Sequence, residues 1–330
     1  GYITSPLATS IALQDRSTTQ FGRALGLQIP DILLSAEVRY TDQNFLGRAK
    51  RLYLPFKFGM SATSWHRYAG FTPTYVDPRF FARGLSFRVT PFAIYDRATT
   101  RLDMIEFGSE FALSKELLPR LFAATSYEIA GVKTRDPETT REYTPFRLEN
   151  KVTPTLTYDR LDHPVNPTRG GMLQTSLAYI NAMDGGNINN FIKWDVSGKY
   201  FLTLRKTVTL GVMARYGASK SFNGPRLPDD ERFTLGGNRG VRGFSDDGVG
   251  QYHPDKSLRL DRRDDGTYTK PYGGEILFAG SLELRFPLLR ALSFYGAVFY
   301  DVGALAERVS EISASSEPST PWRCSVWALQ

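Results

Sequence analysis

The feature that most restricts this chain is a period-two alternation of apolar and polar residues, repeated along almost its whole length. Over residues 207–217, Val208, Leu210, Val212, Ala214 and Tyr216 share one face, while Thr207, Thr209, Gly211, Met213 and Arg215 share the other. Over 152–159, Leu156 and Tyr158 oppose Thr153, Thr155, Thr157 and Asp159; over 192–202, Ile192, Trp194, Val196 and Tyr200 oppose Lys193, Asp195, Ser197 and Lys199. Successive side chains of a strand point to opposite faces, so this pattern reads as half-apolar strands rather than helices. Fainter alternation marks 18–27, 32–40, 49–59, 66–76, 84–95, 103–113, 121–132, 171–180, 275–286 and 292–302.

Composition decides what such strands face. Charged residues make up 23% of the chain, and no run approaches the roughly 18 apolar residues that a spanning helix needs. A closed barrel is compatible with these values, because only alternate residues meet lipid and low mean hydropathy coexists with many aromatic residues, here 13%. The strand segments are close to the roughly 9–11 residues that a tilted spanning strand requires.

Connection lengths support the same reading. Tight turns at 42–48, 77–84, 114–120, 161–170, 203–206 and 287–291 alternate with longer polar connections, notably 133–149, 181–190 and 218–274. Short turns on one side and long loops on the other match an outer-membrane barrel with its short turns in the periplasm. A soluble sandwich or propeller also has alternating strands, but these strand lengths, the loop asymmetry and the lack of a fixed 40–50-residue repeat argue against both.

The tally is about thirteen strands, whereas bacterial single-chain barrels have an even number. Gly1-Tyr2-Ile3-Thr4 has neither the basic start nor the apolar core of a secretory leader. The expectation is therefore a barrel of the 16-strand type without its N-terminal part and closing strands. In that division 1–17 is a linker from an upstream region, 18–303 the barrel with a lumenal loop at 218–274, and 304–330 a polar loop and tail. Within that tail, Trp322-Arg323-Cys324-Ser325-Val326 begins to alternate like a further strand.

Other functional classes find little support. The lone Cys324 cannot form an internal disulfide. A formal charge of +7 from scattered Lys and Arg suits a polar lumen or anionic head groups as well as nucleic acid. Without an RNP, helix-turn-helix or zinc-finger pattern, nucleic acid is not expected as a partner. His66, His163 and His253 lie far apart, with no H-E-x-x-H arrangement, no G-x-S-x-G elbow and no metal-spaced cysteines. No catalytic residue, metal or cofactor is expected.

The most distinctive stretch is Leu235-Gly236-Gly237-Asn238-Arg239-Gly240-Val241-Arg242-Gly243-Phe244, inside the longest polar loop. It lacks the Lys-Ser/Thr ending of a phosphate loop. It occurs with Tyr158-Asp159-Arg160-Leu161-Asp162, with Asn166-Pro167-Thr168-Arg169-Gly170, with Ser281-Leu282-Glu283-Leu284-Arg285-Phe286-Pro287 and with Phe299-Tyr300-Asp301-Val302-Gly303. Taken in chain order these segments resemble the signatures of the Omp85 superfamily, the barrels of bacterial outer-membrane assembly proteins and their mitochondrial and plastid relatives, also known by the bacterial surface antigen D15 domain. The resemblance runs from about residue 18 to 303.

On 275–286, Ile276, Phe278, Leu282, Leu284 and Phe286 form the lipid-facing set, which turns Glu283 inward. On the next strand Leu292, Phe294, Val298, Tyr300 and Val302 face out and Asp301 faces in. Two carboxylates on adjacent inner faces suit a planar guanidinium fork, which costs less to desolvate than an ammonium. The resemblance implies that Arg242, within Val241-Arg242-Gly243-Phe244, fills this place and pins the loop in the lumen. Gly236, Gly237, Gly240 and Gly243 let the backbone turn and pack closely there.

The resemblance further implies a non-enzymatic factor of the bacterial outer membrane. Its partners would be lipid and lipopolysaccharide, unfolded outer-membrane proteins and periplasmic or outer-membrane accessory proteins. Substrate strands would pair at a lateral seam, with 18–27 as the first strand, weakened by Gly22, Gly26 and Pro30. A secretion pore for one dedicated partner, and a barrel anchoring an N-terminal enzyme, are the alternatives.

Overall fold

The computed structural model describes residues 8–18, 30–61, 67–81, 84–97, 103–135, 142–204, 207–223, 227–237, 240–242, 244, 249, 273–289, 294–306 and 325–328. These residues form one antiparallel sheet. Its strands are β1 (Ala8–Thr18), β2 (Pro30–Phe45), β3 (Lys50–Ser61), β4 (Arg67–Phe71), β5 (Thr74–Asp77), β6 (Leu85–Asp96), β7 (Asp103–Leu118) and β8 (Leu121–Arg135). They continue as β9 (Arg147–Asp159), β10 (Gly170–Asp184), β11 (Asn187–Leu204), β12 (Val208–Ser221), β13 (Ile276–Leu289), β14 (Phe294–Ala306) and β15 (Ser325–Ala328). Each strand pairs with its sequence neighbours, except that β4 and β5 both lie between β3 and β6 and share one position.

The alternation sets the two faces. Along β9, Val152, Leu156 and Tyr158 are exposed; along β11 and β12, Trp194, Tyr200, Leu202, Val212 and Tyr216 are exposed. Phe278, Leu282, Leu284, Val298 and Tyr300 continue this apolar face across β13 and β14. The opposite face carries the buried Glu149, Glu283 and Asp301. An unbroken antiparallel ladder satisfies backbone polar groups that would each cost several kcal/mol unpaired in hydrocarbon.

Several boundaries differ from the alternation. The first strand is Ala8–Thr18, paired with β2, so the sheet takes in most of the stretch read as a linker. Residues 19–29, which hold most of the expected first strand, lie outside the described residues, and Pro30 instead opens β2. The connection expected at 181–190 is a two-residue turn. Asp184 pairs with Asn187, and Gly185 and Gly186 turn at φ 53° and 97°. A tight hairpin needs this left-handed backbone, which glycine adopts without steric cost. Ile276 is buried together with Leu277 where β13 meets the base of the long loop, although its phase is that of the lipid-facing set. The strand beginning near Trp322 is present as β15, paired with β14 through Asp301↔Ser325 to Val298↔Ala328.

Candidate functional site

Register builds the centre of the site. In the β13–β14 pair Ser281 lies opposite Asp301, and Glu283 lies opposite Phe299. Residues two apart on a strand share a face, so these four side chains form one inward patch: a hydroxyl, two carboxylates and an aromatic ring. Arg242 enters this patch from the loop between β12 and β13. Its Nε and Nη2 donate to Asp301 Oδ2 and Oδ1 at 2.8 Å each, and its backbone N–H donates to Oδ2 at 3.0 Å. Its Nη1 donates to Glu283 Oε2 at 2.5 Å, and Nη2 also donates to Ser281 Oγ at 2.8 Å. The guanidinium carbon lies 3.5 Å from the centroid of Phe299.

The patch is electrostatically matched. Asp301 is fully buried, and Ser281 donates to its Oδ1 at 2.7 Å. Arg285 Nε donates to the second oxygen of Glu283 at 2.5 Å. Bonding to Asp301 foremost, and to Glu283, raises the Arg242 pKa further against the opposing effect of burial. The guanidinium's planar fork is what allows one side chain to engage both acids and the hydroxyl.

Apolar packing holds the rest of the loop tip. Val241, Leu235 and Phe233 cluster with Leu277 and Leu305, and Phe244 packs against them. The Gly237 N–H donates to the Phe244 carbonyl at 3.1 Å, which ties together residues on either side of Val241 and Arg242. Gly236 and Gly237 take φ of 135° and 69°. Gly240 packs against the Gly236 backbone, and Gly243 lies outside the described residues. Gly303 on β14 admits the tip: a Cβ there would stand 2.5 Å from Val241 Cγ2 and 2.6 Å from Leu235 Cδ2. The structure thus brings Val241, Arg242, Phe244, Glu283, Asp301 and the loop glycines Gly236, Gly237 and Gly240 together.

A second set of contacts was not foreseen. Early in the loop a short 3-10 turn, Asp229–Glu231, sits on the inner faces of β9 and β11. Asp230 accepts from Arg147, which also donates to Glu149 at 2.7 Å. Glu231 lies 3.3 Å from Lys193 and 3.6 Å from Lys151, and its carbonyl accepts from Lys193 Nζ at 2.7 Å. Burial raises the Asp230 pKa despite Arg147, whereas the two lysines outweigh burial at Glu231 and lower its pKa. Lys193 was legible as inward from its phase opposite Trp194. The acidic triplet ahead of the glycine run was the other available signal.

Two further features adjoin this turn and the patch. A cavity of about 390 Å³ opens between Lys151, Lys193, Arg215, Arg232, Asp195 and Phe233. At the short-turn end, Asp162 accepts from the Thr168 hydroxyl at 2.6 Å and from the Thr168 and Arg169 amides at 2.9 and 3.0 Å. These bonds, the hydroxyl's first, hold the Asp162 carboxyl well below the usual range. Arg285 Nη1 donates to Asn166 Oδ1 at 3.2 Å, which links this turn to Glu283.

A long antiparallel sheet with one apolar and one polar face, with a loop clasped by arginine on the polar face, is the layout expected of a membrane β-barrel wall. Residues 44–326 match the Omp85 superfamily domain, and the chain belongs to that superfamily. It is 29% identical over 168 residues to a SAM50-like protein of Schizosaccharomyces pombe, covering 49% of this chain and 32% of that protein. Among solved structures it is similar to BamA from Haemophilus ducreyi lacking POTRA domains 1–3, with a TM-score of 0.68 at 16% identity, covering 94% of this chain and 65% of that one. It is also similar to CdiB from Acinetobacter baumannii, with a TM-score of 0.55 at 11% identity, covering 96% and 58%. The chain spans about a third of the fungal relative and less than two thirds of either solved chain. The fold is thus the transmembrane antiparallel barrel of this superfamily.

Proposed function

We propose that the protein is an assembly factor that inserts β-barrel proteins into an outer membrane without covalent chemistry. The observation that carries this reading is the loop clasped by Arg242 against Glu283 and Asp301, within a barrel of the Omp85 superfamily. In the proposed mechanism an incoming strand pairs with the edge of β1 that faces away from β2. Backbone groups unpaired in lipid cost several kcal/mol each, so adding a strand to such an edge is strongly favourable. The clasped loop keeps the lumenal wall rigid while the edge accepts the substrate. Val241, Arg242 and Phe244, with Glu283 and Asp301, are the residues that act as the lock.

For the compartment we propose the mitochondrial outer membrane in place of the bacterial one expected from the sequence. A fungal cell has neither a bacterial outer membrane nor plastids, which leaves mitochondria among the family's settings for the S. pombe relative. Partners are then membrane lipid, unfolded barrel precursors and accessory proteins of the same membrane.

The test is to embed the protein in vesicles and follow the folding of an unfolded β-barrel substrate. Faster insertion than into protein-free vesicles supports the proposal. An unchanged rate, or release of a soluble passenger through the pore without insertion, contradicts it.

A further inference from the structure

We propose that the acidic turn Asp230–Glu231 is a second, separate anchor of the lumenal loop, a positioning foot that holds Arg242 over its acids. The inference goes beyond the insertion role and rests on the reading of Arg242 as the loop's lock. The two attachments stand on different walls. Arg242 binds β13 and β14, whereas Asp230 and Glu231 bind Arg147 and Lys151 of β9 and Lys193 of β11. Neither set shares a side chain with the other.

The foot is built to hold. The side chains of Arg147, Asp230 and Glu231 are each only 11–12% exposed, so their attraction is weakly screened compared with surface pairs. Glu231 is gripped twice, through its carboxylate and through its carbonyl, and both contacts include Lys193. The same ammonium lies 4.7 Å from the centroid of Phe233, tying the foot to a buried ring two residues on.

The described residues between foot and lock are mostly packed away from solvent. Arg232, Phe233, Leu235 and Val241 are all 4% exposed or less. Phe233 exchanges two 2.8 Å backbone hydrogen bonds with Gly274, which joins the outgoing and returning limbs of the loop. Gly217 on β12 leaves room for the Phe233 ring, since a Cβ there would come within 2.7 Å of it. The described residues 230–237 and 240–242 thus carry an ionic contact at each end, Asp230 and Glu231 at one and Arg242 at the other. When the lock opens, the foot keeps Arg242 close to Glu283 and Asp301, at the high effective concentration of a short tether.

The test uses Val241→Cys as a probe beside the lock, in a Cys324→Ser background so that it is the only thiol. Val241 is 2% exposed, so its maleimide labelling in vesicles reports opening. Glu231→Lys, and the milder Glu231→Gln, are expected to raise the labelling rate at least about threefold, within the range for coupled neighbours in one network. Adding Lys151→Glu and Lys193→Glu to Glu231→Lys is expected to bring the rate back toward that of the parent. A parental rate in both Glu231 variants overturns the proposal, as does failure of the reversed charges to restore protection. Arg242→Ala separates the two readings: if it leaves labelling unchanged, the lock and the foot both fall. If it raises labelling and the Glu231 variants do not, the foot alone falls. None of these readouts needs insertion activity.

Discussion

Arg242 donates three hydrogen bonds to Asp301, one from its backbone and two from its guanidinium, and Asp301 is fully buried beneath it. The acid is therefore desolvated and takes its side-chain hydrogen bonds from Arg242 and Ser281. Removing one member of a buried pair typically costs about 3–5 kcal/mol, because the remaining charge stays desolvated. Arg242→Ala is expected to destabilise the barrel by about 3 kcal/mol in urea unfolding from lipid vesicles, and Arg242→Lys by less. An ammonium still faces the acids but cannot span Asp301, Glu283 and Ser281 with one planar group. Parental stability in Arg242→Lys would show that the fork geometry is irrelevant.

Gly303 tests the packing of the loop tip independently of charge. A methyl group at this position meets Val241 and Leu235 at 2.5 and 2.6 Å, inside a buried apolar cluster. Gly303→Ala is expected to cost about 1–3 kcal/mol by overpacking and to speed proteolysis of the loop, with the ion pairs chemically unaltered. Unchanged stability and unchanged cleavage would mean that the tip is not seated on β14.

Which parts were legible in advance follows from the range of each interaction. Alternation along β9, β11, β12, β13 and β14 placed Trp194, Tyr200, Leu282 and Tyr300 outward and Glu283 and Asp301 inward, because strand phase is a local property. Register across strands was not local, so the direct pairing of Ser281 with Asp301 and of Glu283 with Phe299 could not be read from the chain. Ser281 and Phe299 thus went unassigned as partners of Arg242. The foot was hidden for the same reason, since Arg147 and Asp230 are 83 residues apart and meet only through the fold. The 181–190 stretch misled because Asn189 and Asn190 look like loop residues, although each pairs within the β10–β11 ladder.

The apolar face predicts an asymmetric response to charge. Leu282 is 47% exposed on the outer face, whereas Thr155 faces inward on β9. Leu282→Arg is expected to reduce folding stability in vesicles by about 2–4 kcal/mol if it lies near the bilayer midplane, and Thr155→Arg by much less. Equal penalties would contradict the assignment of faces.

Acid should loosen the β9–β10 turn only at low pH. The bonds from Thr168 and Arg169 depress the Asp162 pKa, so its contribution is complete above the ordinary carboxylate range and is lost as pH falls through the depressed value. Hydrogen exchange at the Thr168 and Arg169 amides, corrected for its intrinsic pH dependence, should stay slow at pH 4 and rise only in stronger acid. Asp162→Asn should remove that transition. A transition at the usual carboxylate pH would show that these bonds do not persist in solution.

The account turns on Arg242 holding the loop inside the barrel. The most direct measurement is trypsin cleavage within 218–274, which contains Lys256, Arg259, Arg262 and Arg263, for the vesicle-embedded protein and its Arg242→Ala variant. The account predicts a loop that resists trypsin in the parent and is cut rapidly in the variant. Equal resistance in both would contradict it.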